Sequence, residues 1–165
     1  MRALLIAVGN RLRRDDGVAH AVLEGLSSAN DVESRAFLQL TPEVAEDIAG
    51  YDPVIFIDSD AGLAELSLEP LDQLPSPPAL THVSRPAEIV ELSTALLGFA
   101  GRIFLCRIPV DDLTVGEGLT RRASELVAQA VEELEILLSE LRGDLHASCD
   151  GEPMGVEARK SRPLR

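Results

Sequence analysis

The chain has 165 residues, 45% of them hydrophobic, and a formal net charge of −13. That is enough apolar side chain for one domain with a real core and no covalent staples, and so acidic a body repels nucleic acid and anionic membrane. Cys106 and Cys149 form neither a disulfide framework nor a paired-cysteine metal knuckle, which fits a reducing cytoplasm.

The first apolar run, "ALLIAV" at residues 3–8, reads as a strand buried on both faces and ended by Gly9 and Asn10. It is too short for a spanning helix, and no small-residue cleavage site follows it as in a signal peptide. After Asp15 and Asp16, the apolar residues Val18, Val22, Leu23 and Leu26 recur at helical spacing, so an amphipathic helix is predicted from near Asp15.

Residues 31–40 read as a shorter strand. Thr41, Pro42 and Glu43 then look like a helix N-cap, a first-turn proline and a first-turn acid, with Val44, Ala45 and Ile48 on the buried side. "PVIFID", residues 53–58, is the clearest strand, because β-branched and aromatic residues fill it and Pro53 can only begin it. Residues 60–81 carry four prolines, with a short edge strand around residues 66–71 and then an exposed loop that delivers His82.

A third helix follows, with Pro86 in its first turn and Ile89, Leu92 and Leu96 on one face. Residues 102–110 form the next buried strand. From Ala123 to Leu141 the apolar positions keep the 3.6 period, and beyond Gly143 the pattern stops. The expected organisation is therefore one α/β domain over residues 1–141 and a polar, disordered tail over residues 142–165. Strands alternating with helices predict a doubly wound, mostly parallel twisted sheet of about five strands with helices on both faces.

In such sheets ligands bind beyond the carboxyl ends of the strands. That edge collects Asp15 and Asp16 after the first strand, Asp58 and Asp60 after the third, and His82 ahead of the third helix. Carboxylates and an imidazole gathered from separate segments are the ingredients of an oxygen-rich divalent metal site with open positions. Each residue also has a plainer reading. An acid near residue 15 can serve a helix N-terminus, Asp58 can end a strand, and His82 can be an ordinary loop histidine. Spacing alone does not choose Asp16 over Asp15 or Asp58 over Asp60. His20 and His146 read as solvated bystanders.

Other chemistries fit less well. The loop "VGNRLRRDDG" has neither the dinucleotide glycine pattern nor the lysine and hydroxyl of a phosphate loop, and two carboxylates repel pyrophosphate. A nucleophile elbow is missing, and Cys106 lies midway through a buried strand, where it packs rather than reacts.

Four segments in order, "VGNRLRRDDGVAHAV", "FLQLTPEVAEDIAGYDPVIFIDSD", "THVSRPAEIVELSTALLG" and "IPVDDLTVGEGLTRRASELVAQAVEEL", resemble the maturation endopeptidases of nickel-iron hydrogenases across residues 1–141. The resemblance implies cytoplasmic removal of the C-terminal extension of a hydrogenase large-subunit precursor after nickel insertion. It assigns metal engagement and catalysis to Asp16, Asp58 and His82. The nickel is expected to be supplied by the precursor rather than held permanently. A monomer is the default expectation, and the acidic charge predicts contact with neither nucleic acid nor membrane. "QLTPE" at residues 39–43 is most similar to members serving soluble bidirectional hydrogenases. Arg14 stands where many members have a small residue, and Ala19 where glycine is common. The alternative function is a non-catalytic adaptor binding a metal-loaded partner. A small-molecule hydrolase or nucleotide-binding module on the same fold is the third.

Overall fold

The structure, a computed structural model, describes residues 1–71 and 84–149, the last five by backbone alone. In chain order the elements are β1 (Ala3–Val8), a 3-10 turn (Arg14–Gly17), α1 (Val18–Gly25), β2 (Val32–Phe37), α2 (Val44–Ile48), β3 (Val54–Asp60), β4 (Ser67–Pro70), α3 (Pro86–Leu97), β5 (Ile103–Pro109) and α4 (Arg121–Cys149). They form a five-stranded sheet in the order β2-β1-β3-β5-β4. All neighbours are parallel except β4, which pairs antiparallel with β5 and closes that edge.

Strand alternation sorts the core into two layers. Ala3, Leu5 and Ala7 of β1, with Ile55, Ile57, Cys106 and Ile108, face Val18 and Val22 of α1 and Ala130, Leu134 and Leu138 of α4. Leu4 and Ile6, with Val54, Phe56, Ile103 and Leu105, face Val44, Ala45 and Ile48 of α2 and Ile89 of α3. β1 and β3 are apolar in both registers because each face of the sheet is covered, so their runs are continuous rather than alternating. The chain leaves β1 for β2 on one side and returns to β3 on the other. The carboxyl ends of β1 and β3 are therefore the switch point, where this architecture opens a crevice.

Local signals account for most boundaries. Pro86 occupies the first turn of α3, the Arg85 amide donates to the Glu88 carboxylate at 3.0 Å, and Gly98 ends the helix in the left-handed conformation at φ 69°. Several boundaries differ from expectation: α2 starts only at Val44, with Glu43 rather than Thr41 at its N-cap, and β3 runs past Asp58 to Asp60 because its pairing with β5 continues that far. α1 starts at Val18, because residues 14–17 coil more tightly and commit both aspartates to contacts outside the helix. α4 does not stop at Gly143 but continues to Cys149, so the expected boundary at residues 141 and 142 falls inside a helix. One interior glycine costs only about 1 kcal/mol. Arg142 pins that turn to the body through Asp31, with Nε to Oδ2 at 2.8 Å. Residues 150–165 of the expected tail lie outside the described residues.

Candidate functional site at the ends of β1 and β3

The loop after β1 folds back on its own start. Gly9 has φ +146°, and a Cβ there would lie 2.0 Å from the carbonyl oxygen of Asp16, so no larger residue fits. The Gly9 amide donates to the Phe37 carbonyl at 3.0 Å, continuing the sheet by one bond. Its own carbonyl lies 2.9 Å from Nε2 of His20, which is half-buried. His20 is thus not the solvated bystander of the sequence reading: the first turns of α1 pack back over the β1 end and bring its ring to the loop backbone. Asn10 accepts the Leu12 amide at 2.9 Å on Oδ1, closing a tight side-chain turn.

The two adjacent aspartates do different work. Asp15 is buried and accepts three hydrogen bonds from the β5–α4 connection: Thr120 N at 2.7 Å, Thr120 Oγ1 at 3.0 Å and Asp112 N at 3.2 Å. Thr120 in turn caps α4, accepting the Ala123 amide at 3.2 Å. Asp15 is therefore a tie between two loops. Asp16 turns the other way, to the crevice. Its Oδ2 accepts the Asn10 amide at 3.0 Å and its Oδ1 accepts Ser59 Oγ at 2.8 Å, so one carboxylate spans the ends of β1 and β3.

Asp58 and Asp60 are likewise distinct. Asp60 caps its own turn by accepting the Gly62 amide at 2.8 Å, and it pairs with Arg107 at 3.6 Å. Asp58 accepts the Ser59 amide at 2.8 Å. Burial pushes its carboxyl up from the ordinary 3.8 to about 6; the Ser59 amide pulls it back, and the negative charges of Asp16 and Asp60 push it further up. A carboxylate held among like charges at the mouth of a crevice is a place where a cation is welcome. Cys106, by contrast, is fully buried and its thiol is pushed up to about 12 by desolvation, and then by Glu133, so it is an inert packing residue.

The structure brings Asp16 and Asp58 to one edge of the sheet. His82 lies outside the described residues. Among the described residues no group of three or more His, Cys, Asp or Glu side chains is arranged to hold a metal ion. What stands at the edge is a carboxylate pair of hard oxygen donors, to which a borderline divalent cation would have to bring nitrogen or sulfur ligands from elsewhere.

Sequence reasoning missed two residues. Ser59, which orients Asp16, gave no signal beyond following Asp58. Arg107 did give one: a charged residue in the middle of the apolar run "RIFLCRIPV" demands a partner, and it finds Asp60 and Glu69. The rim is apolar as well. Leu12, Leu38 and Val115 are exposed on the loops at this edge, and a parallel bridge between Arg13 and Gly116 sets Leu12 beside Val115.

These elements define a doubly wound α/β protein with an acidic site at its topological switch point. The fold is that of solved hydrogenase maturation endopeptidases. The hydrogenase maturating endopeptidase HybD of E. coli superposes with a TM-score of 0.65 at 21% identity, over 85% of this chain and 93% of that chain. A solution structure of an endopeptidase from Escherichia coli gives 0.68 at 18% identity over the same shares. The [NiFe] hydrogenase maturation protease HybD of Thermococcus kodakarensis gives 0.60 at 21% identity, over 83% of this chain and 99% of that chain. No protein-family model and no curated protein matches the sequence.

Proposed function

We propose that this protein is a cytoplasmic endopeptidase that removes the C-terminal extension of a nickel-iron hydrogenase large-subunit precursor once nickel has been inserted. The observation that carries the reading is the convergence of Asp16 and Asp58 at the switch point, each from a different strand end, with Ser59 between them. Asp16, Asp58 and His82 would engage the nickel of the precursor, so that the metal is part of the substrate. It licenses the precursor and brings the scissile peptide to the two carboxylates.

The chemistry asked of the chain is modest. Hydrolysis adds water across the amide C–N bond and delivers a proton to the departing amine. A carboxylate oxygen of Asp16 or Asp58 that is not on the cation can accept a proton from that water and return it to the amine. A cation beside it polarises the carbonyl or acidifies the water. No serine or cysteine nucleophile is required. The exposed apolar rim of Leu12, Leu38 and Val115 supports a polypeptide substrate over a small polar one. Among the described residues no helix is long and apolar enough to cross a membrane. The protein is proposed to work as a monomer.

The test is the mass of nickel-loaded precursor incubated with purified protein. Loss of a C-terminal peptide supports the endopeptidase. A stable complex in which the precursor keeps its full mass would replace it with the adaptor.

A further inference from the structure

Arg107 is the one cation of β5 that reaches the acidic edge, and its placement is specific. In the parallel register between β3 and β5 its Cα is the partner of Asp58, so both side chains leave the same face of the sheet. Yet its guanidinium turns to Asp60, with Nη1 to Oδ2 at 3.6 Å, and to Glu69 of β4, with Nη2 to Oε1 at 2.5 Å. A weaker contact reaches Ser67 Oγ at 3.5 Å, and Nε is buried without a hydrogen-bond partner among the described residues.

We infer that Arg107 is a positioning residue that assigns the metal-facing role to Asp58 by holding Asp60 aside, and that it thereby keeps the free protein a poor cation binder. The inference rests on the proposed proteolytic reading and deepens it. Asp58 and Asp60 share one face of β3, two residues apart, so an unrestrained Asp60 could swing toward the same cation as Asp58. Three carboxylates on one ion would form a tight site, able to strip the metal from a precursor instead of sensing it. The Gly62 amide holds one oxygen of Asp60 at 2.8 Å, and the guanidinium, anchored on Glu69 of the antiparallel edge strand, draws the other toward itself as an ion pair at 3.6 Å. Asp58 then stands without a cationic partner among the described residues, and is left for the metal. Arg107 touches no reacting atom in this account and acts through Asp60.

The test is calorimetric titration of the free, full-length protein with Ni²⁺, run beside precursor cleavage. Arg107→Ala is expected to bind Ni²⁺ about tenfold more tightly than wild type, the scale of one added carboxylate at a partly exposed site. By holding the metal too tightly Arg107→Ala should also slow cleavage of loaded precursor, and adding Asp60→Asn to that background should return both affinity and cleavage to the wild-type level. An Arg107→Ala protein that is folded but binds no more tightly would overturn the inference. So would tighter binding that survives Asp60→Asn, since Glu69 would then be the released ligand. If the arginine variants do not fold, the Ni²⁺ affinity of Asp60→Asn decides: an affinity equal to that of wild type supports the assignment, and a weaker one makes Asp60 a ligand and ends it. Failure of the wild type to shorten the precursor sinks the proteolytic reading, whereas calorimetry alone decides the role of Arg107.

Discussion

Ser59 Oγ donates to Asp16 Oδ1 at 2.8 Å, a bond between the end of β3 and the loop that follows β1. It is the side-chain contact that fixes Asp16 relative to Asp58, because Ser59 is also the residue whose amide binds Asp58. Ser59→Ala should lower the catalytic rate constant about tenfold while changing precursor affinity little. A hydrogen bond to a charged acceptor contributes roughly 1.5–3 kcal/mol, and here it is spent on orientation. Steady-state cleavage kinetics would check this. An unchanged rate would mean that the Asn10 amide alone orients Asp16.

Asp15 and Asp16 should separate stability from activity. Asp15→Ala leaves the Thr120 and Asp112 amides without their acceptor in a buried place, and should cost about 2–4 kcal/mol. Asp16→Ala is half-exposed and should cost about 1 kcal/mol. Urea denaturation of the two variants gives the comparison, and equal losses would contradict the division of labour.

Asp58 should be a stability liability. Its folded carboxyl is raised to about 6 against 3.8, so above pH 6 the protein bears the cost of an ionised group that the unfolded chain carries freely. The cost shrinks as pH falls from 6 to about 4, where the folded-state carboxyl is protonated and the unfolded one is becoming so. Asp58→Asn should therefore raise stability at pH 7 by up to roughly 3 kcal/mol, lose that advantage near pH 4, and abolish cleavage. Thermal melts of both proteins across that window would decide. A variant less stable than wild type at pH 7 would show that Asp58 is net stabilising.

Gly9→Ala should destabilise the protein by more than 3 kcal/mol, because the added Cβ meets a backbone oxygen at 2.0 Å and φ is +146°. Chemical denaturation gives the number, and a loss under 1 kcal/mol would mean the loop can relax away from Asp16.

The sheet was legible because its information is local. Runs such as "ALLIAV" and "PVIFID" can only be strands covered on both sides, and Pro86 and the glycine at 98 bracket a helix by their own backbone chemistry. The end of α4 was not legible, because a distant ion pair between Arg142 and Asp31 outweighs the glycine at 143. The strand-end rule put Asp16 and Asp58 at one edge of the sheet, where the structure has them, but could not tell neighbouring acids apart. Asp15 is separated from Asp16 by Thr120, and Asp60 from Asp58 by Arg107, partners 105 and 47 residues away. His20 misled for the same reason, since its partner is a loop carbonyl that periodicity does not see.

The measurement that tests the central claim most directly compares nickel-loaded with nickel-free large-subunit precursor, using wild-type protein and the Asp16→Ala, Asp58→Ala and His82→Ala variants, by intact-mass spectrometry. The account predicts loss of a C-terminal peptide from loaded precursor alone, reduced at least a hundredfold by each substitution, on the order of 2.7 kcal/mol of transition-state stabilisation. Equal cleavage of both precursors by the wild type, or undiminished cleavage by Asp58→Ala, would contradict it.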